Sequence, residues 1–196
     1  MLRSVNAPDV KEKRKFWNEN ISNYDVNKLV FLDESAVNTD MTRIYGRAVG
    51  KKRVVDKTPL NTPTSTTILS SMRIDGRTAY TTYQGGTTGD KFLDYLKNIL
   101  FPTLEKGDIL VMDNLRTHHM NAVADAAREA GIILLYLPPY SPDYNPIEKM
   151  WSKIKSILRT LKVRNIADLP KAIEYAFNEI LDSDCKGWFA SSMPSH

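Results

Sequence analysis

Three acidic residues far apart in the chain carry the clearest chemical potential. Asp33 closes the apolar run Lys28-Leu-Val-Phe-Leu-Asp33, and Asp113 closes Asp108-Ile-Leu-Val-Met-Asp113. Glu148 stands at the head of a long helical pattern, after Asn145-Pro-Ile. Short apolar runs ending in an acid read as buried strands whose carboxyl ends reach the surface. Ligand sites of open α/β sheets gather at such ends. If the two strands are neighbours, their carboxylates converge, and like charges that close need a cation between them. Hard oxygen donors of this kind select Mg²⁺ or Mn²⁺. Each aspartate alone also has a plainer reading, since Asp after a strand favours turns and helix caps. Glu148 has one too: with Asn145 as N-cap and Pro146 at N1, a Glu at N3 completes a capping box.

The helix behind Glu148 favours the chemical reading. Ile147, Met150, Trp151, Ile154, Ile157, Leu158 and Leu161 form its apolar stripe. Glu148, Ser152, Lys155 and Arg159 recur at i, i+4, i+7 and i+11 on the other face, and Lys149, Lys153 and Lys162 widen the basic surface. A carboxylate heading a basic face suits a metal site beside a phosphate backbone. A merely solvated charged face is the bland alternative.

The elements that must position these residues follow in order. Residues 1–26 read as a charged, helical lead-in or linker, 27–182 as the one folded domain that carries the three acids, and 183–196 as a C-terminal tail. After the strand at 28–33 comes a Gly-punctuated basic loop, Tyr45–Arg53. Thr64–Met72 and Thr78–Gln84, joined by Asp75-Gly76, predict a β-hairpin. Helices are expected over Asp90–Leu100, His118–Ala130, Pro146–Leu161 and Ile166–Leu181, with a further buried strand at Ile132–Leu137. Antiparallel strands first and βα units afterwards indicate an α/β protein with a mixed five-stranded sheet flanked by helices. That pattern matches a ribonuclease-H-like, retroviral-integrase-like fold.

Bulk properties fit but do not decide. The 196 residues suffice for one α/β domain with a real core. Net charge is +4 with a pI near 9.0, compatible with nucleic acid without demanding it. The lone cysteine, Cys185, excludes an internal disulfide and multi-cysteine zinc sites. No apolar run approaches the roughly 20 residues of a membrane span and no signal peptide opens the chain, so a cytoplasmic protein is expected, nucleoid-associated if its partner is DNA.

Asp113-Asn-Leu-Arg-Thr-His118, Leu137-Pro-Pro-Tyr-Ser-Pro-Asp-Tyr-Asn-Pro-Ile-Glu148 and Trp151-Ser-Lys-Ile-Lys-Ser-Ile-Leu-Arg159 together resemble the catalytic core of mariner-type and related insertion-sequence DDE transposases. Val30-Phe-Leu-Asp33-Glu34-Ser35 fits the family's opening motif, and the resemblance runs over roughly 28–162. Carried over, Asp33, Asp113 and Glu148 match the three metal-binding acids, the last two 35 positions apart. The resemblance implies two Mg²⁺ ions per site, with Mn²⁺ as substitute, and a cut-and-paste reaction in which element ends are cleaved and joined to target DNA. It also implies double-stranded DNA as partner, a TA target and a homodimer in the synaptic complex.

Asn114 and His118 become candidates for supporting the metal ligands or touching DNA, with packing or capping as the ordinary alternative. Lys149, Ser152, Lys153, Lys155 and Arg159 become the expected DNA-binding face. Two departures stand out. Val49 replaces the family's usual Pro in the basic loop, with Gly50 one place early. Relatives also carry N-terminal helix-turn-helix modules for which this chain lacks the length, as expected of a second reading frame, a piece or a remnant. Other readings are a phosphatase-like hydrolase, disfavoured by Ser35 where a second acid is wanted, a non-catalytic DNA-binding remnant, and a stand-alone ribonuclease-H-like nuclease or resolvase.

Overall fold

Side-chain parity along the strands decides the architecture. The computed structural model describes residues 7–43, 45–50, 53–55, 57–58, 65–113 and 121–193. Its strands are β1 (Leu29–Val37), β2 (Thr66–Met72), β3 (Thr78–Gln84), β4 (Ile109–Met112) and β5 (Ile133–Tyr136). They form one sheet in the order β3-β2-β1-β4-β5. The β1–β2 and β2–β3 pairs are antiparallel, whereas β1–β4 and β4–β5 are parallel. The hairpin between β2 and β3 turns at Gly76, whose φ of +84° suits glycine.

Phe31, Ile68 and Val111 face one core, while Leu32, Leu69 and Leu110 face a second on the other side. Central strands buried on both faces read as near-continuous apolar runs, which is why they stand out in the sequence. The helices are α1 (Pro8–Ile21), α2 (Gly89–Tyr95), α3 (Asn121–Ala130), α4 (Ile147–Leu161), α5 (Leu169–Asn178) and α6 (Asp182–Ser192). Residues of α1, α4, α5 and α6 cover the first core. The second is covered by α2, prolonged by a π-helical turn at Leu96–Leu100, and by α3.

The expected lead-in and tail are both structural. The lead-in contains α1, which buries Val10, Trp17 and Ile21. Residues assigned to a tail form most of α6, where Cys185 and Phe189 are buried and Phe189 meets Phe31 edge-on at 5.3 Å. The helix expected over Ile166–Leu181 divides into a 3₁₀ turn at Ile166–Asp168 and α5, which stops at Asn178.

One buried ion pair ties the lower ends of the central strands. Arg73, just beyond β2, donates to Asp108, just before β4, at 2.6 Å, and to the Asn27 carbonyl at 2.7 Å. The two side chains are 9% and 1% exposed as residues, too buried for either charge to be left alone. Burial pulls the Asp108 pKa upward, but Arg73 and the Glu105 N–H outweigh it and hold it below the ordinary value. Its stabilisation is therefore present above the usual carboxylate range and lost as pH falls through the lower folded value. Asp108→Ala should destabilise the domain by about 3–5 kcal/mol, since it strands a buried guanidinium. A lower urea midpoint at unchanged slope is the expected result, and an unchanged midpoint contradicts it.

Candidate active site

The register of β1 against β4 places the two aspartates. Their parallel pairing aligns Leu29 with Ile109 and Phe31 with Val111. Two residues further along each strand, Asp33 and Asp113 stand level on the face that carries Phe31 and Val111. Asp33 does not end its strand as expected, because β1 continues to Val37 against β2 with Asp33 opposite Ser70. The opening arises instead because β4 stops at Met112, leaving one flank of β1 uncovered.

Helix α4 supplies the third acid. Leu137 N–H donates to the Met112 carbonyl at 2.9 Å, pinning the start of the proline-tyrosine loop beside Asp113. The loop then leads into α4, whose apolar stripe packs on β1 through Met150, Trp151 and Ile154. One turn after Glu148, the Trp151 indole N–H donates to Asp33 Oδ2 at 3.1 Å. Asp33, Asp113 and Glu148 thus line one cavity of about 520 Å³, together with Pro138, Tyr140 and Asn145.

The electrostatics reflect that convergence. Asp33 is pushed up to about 7, first by burial, and also by the negative charges of Glu148 and Asp113. Hydrogen bonds from the Glu34 N–H and from Trp151 pull the other way without prevailing. Among the described residues no group of three or more His, Cys, Asp or Glu side chains forms a ready-made ion cage. The acids share the walls of a cavity, with Glu148 still exposed to solvent.

Other expected residues divide. Asn114 and His118 lie outside the described residues. Ser152, exposed, donates to the Glu148 carbonyl at 3.2 Å, and Lys155 and Arg159 remain partly exposed on the same face. Lys149 and Lys153 do not widen that face. Lys149 donates to Ser191 and Ser192, and Lys153 pairs with Asp184 at 2.5 Å, so both turn toward α6. Asn145 is not the helix cap either. Pro146 occupies the N-cap position, and the buried Asn145 Oδ1 finds no hydrogen-bond partner among the described residues.

Sequence reasoning missed two contributors. Trp151 counted only as apolar stripe, although an indole N–H needs a partner when buried. Arg14 of α1 reaches the proline-tyrosine loop, donating to Ser141 Oγ at 2.7 Å and to both oxygens of Asp143. The one signal that could have found it is the spacing of the apolar residues Val10, Trp17 and Ile21 at i, i+7 and i+11, which the structure buries.

A mixed sheet in this order, with acids from its two central strands and a following helix around one cavity, defines a ribonuclease-H-like protein. The chain belongs to the DDE superfamily endonuclease family, whose model matches residues 28–170. It is similar to the transposable element Tcb1 transposase of Caenorhabditis briggsae, 30% identical over 99 residues that cover 47% of this chain and 36% of that protein. The Mos1 transposase paired-end complex with left transposon end matches it with a TM-score of 0.78 at 19% identity, covering 98% of this chain and 62% of that one. The catalytic domain of Mos1 mariner transposase matches with a TM-score of 0.72 at 15% identity, covering 98% and 90%. The chain thus spans little more than a third of the Tcb1 transposase and under two thirds of the Mos1 chain in that complex.

The raised Asp33 pKa has a measurable consequence. The folded state favours the protonated carboxyl, so stability is greatest below the unfolded value near 4 and is lost as pH rises through about 7. In chelator the melting temperature should therefore fall between pH 5 and pH 8, at a cost of up to about 3 kcal/mol. Added Mn²⁺ should stabilise more at pH 8 than at pH 5, because it competes with the proton for Asp33. A melting temperature that rises over this range in chelator contradicts the prediction.

Proposed function

We propose that this chain is the catalytic domain of a mariner-type transposase, cleaving transposon ends and joining them to target DNA with Asp33, Asp113 and Glu148 as its metal ligands. The observation that carries the reading is the cavity to which β1, β4 and α4 each bring one carboxylate, and the resemblance of the motifs around them supports taking these as the family's acids. The donor set fits a hard divalent ion: three carboxylates line one cavity, with no sulfur or imidazole among the described lining residues. Mos1 complexes with Mg, with Mn and after strand transfer support carrying metal dependence and DNA over to this chain.

Divalent ions bound there supply Lewis acidity at phosphorus and neutralise charge on the departing 3′ oxygen. The chain's own groups prepare that chemistry. Trp151 fixes the Asp33 carboxylate by holding Oδ2, while the Glu34 N–H holds Oδ1 at 2.8 Å. Glu148, exposed on the first turn of an otherwise packed helix, would be the third acid to hold an ion there. Lys155 and Arg159 line the same helical face further on, where phosphates flanking the cut would lie. Cleavage by water releases a 3′-OH, and that hydroxyl then attacks a target phosphate and displaces another 3′ oxygen. Both are in-line displacements that need no covalent enzyme intermediate. A homodimer would bring two ends together.

Asp33→Asn, Asp113→Asn and Glu148→Gln should each lower Mn²⁺-dependent plasmid nicking on the order of 10³-fold while leaving the circular dichroism spectrum unchanged. Undiminished nicking by any one of them overturns the assignment. Lys155→Ala with Arg159→Ala should reduce the slope of log affinity for duplex DNA against log salt by about 2. An unaltered slope removes the basic face from the interface.

A further inference from the structure

We infer that Arg14 is a positioning residue for the carboxylate cavity: from α1 it straps the loop between Tyr140 and Asn145 into the shape that aims Glu148. The inference rests on the functional reading of that cavity and adds an element outside the family match, which begins at residue 28.

Arg14 lies more than 120 residues from the loop in sequence, yet its guanidinium makes a forked contact there. One nitrogen donates to Ser141 Oγ at 2.7 Å and to Asp143 Oδ1 at 3.0 Å, and the other donates to Asp143 Oδ2 at 2.5 Å. A planar fork of this kind fixes orientation as well as distance. The same guanidinium lies 4.2 Å from the centroid of the Tyr144 ring. Trp17 and Asn18, three and four residues further along α1, reach the same place. Trp17 stacks on Tyr144 at 12° between ring planes, and Asn18 Nδ2 donates to the Tyr144 hydroxyl at 2.8 Å. One face of α1 is thus committed to one loop.

The loop needs such a strap. Tyr140 holds φ of +56°, a conformation that costs a side-chain-bearing residue of order 1–3 kcal/mol and persists only where its surroundings impose it. The far side of the loop is cavity wall, since Tyr140, Ser141 and Asn145 line the space shared by the three acids. Its end is the head of α4, where the Glu148 N–H donates to the Asn145 carbonyl at 3.2 Å. Arg14 holds Ser141 and Asp143, the turn between them is closed by the Tyr144 N–H on the Ser141 carbonyl and the Asn145 N–H on the Pro142 carbonyl, and Asn145 in turn accepts from the Glu148 N–H. Asp143 is 57% exposed, so the ion pair adds little to global stability. Its effect belongs to the shape of the loop.

The test compares wild type with Arg14→Ala, Arg14→Lys and, as a control on α1, Lys15→Ala. Amide hydrogen exchange follows the loop, and calorimetric titration follows Mn²⁺ binding. In Arg14→Ala, exchange across Tyr140–Glu148 should quicken at least about tenfold with β1 and β4 unaffected. Mn²⁺ affinity should fall about tenfold or more, as when a ligand's support is removed. Arg14→Lys, a point charge without the fork, should fall between, and Lys15→Ala should match wild type. Wild-type loop exchange and Mn²⁺ affinity in folded Arg14→Ala overturn the inference, as does equal acceleration across the whole sheet. If Arg14→Ala does not fold, Asp143→Asn breaks the same fork from an exposed position and is judged by the same two readouts. Failure of the functional reading looks different: wild type and Asp33→Asn would bind Mn²⁺ equally poorly, and loop exchange alone would then decide whether Arg14 holds the loop.

Discussion

Repulsion among three carboxylates is the constraint on which the rest of the structure depends. Adjacent strands lie about 4.8 Å apart, so two aspartates level on neighbouring parallel strands are close in charge terms whatever surrounds them. Burial removes the water that would screen them, and Glu148 adds a third negative group from above. Left to itself such a cluster would spread, or take up protons. Burial first, and this repulsion after it, push the Asp33 carboxyl toward the protonated form, and the remainder of the architecture keeps the cluster from spreading.

That restraint comes from both sides of the site. Beneath it, the sheet is fixed by two cores of opposite parity and by the buried Arg73–Asp108 pair, so the strands cannot slip without exchanging core for solvent. Above it, Trp151 links α4 to Asp33, while the edge-on contact of its ring with Phe177 seats α4 against α5. Phe177 in turn stacks on Tyr80 of β3 at 4.0 Å. Tyr80, Ser70 and Asp33 lie in one row across the sheet. The indole is therefore held at its far side by the same row whose end it touches.

Much of this was legible in the residues, for identifiable reasons. Strands buried on both faces leave apolar runs such as Leu29–Leu32 and Ile109–Met112, and α4 announces itself by its 3.6-residue period. The acids were visible because they terminate or head those patterns. The misses came where a pattern is diluted or depends on a partner. In α6, Gly187 and several serines obscure the i, i+4, i+7 burial of Cys185, Phe189 and Ser192. With α6 unseen, nothing could tell that Lys149 and Lys153 would turn toward it. The charged residues of α1 likewise masked three buried positions spread over its length. The continuation of β1 past Asp33 depends on β2, which arrives from more than thirty residues away.

Helix α4 also has a direction. At about 1.5 Å per residue, the eleven steps from Glu148 to Arg159 extend about 16 Å, comparable to five nucleotide steps of one strand. Acid stands at one extreme and cations toward the other, with the helix axis as a fixed spacer between them. A linear polyanion gripped along this face, as proposed, would consequently be held off-centre, with its anchored stretch entirely to one side of the carboxylates. The two orientations of a strand on this surface would then not be equivalent, and asymmetry of footprint would be built into a single rigid element rather than into any mobile arm.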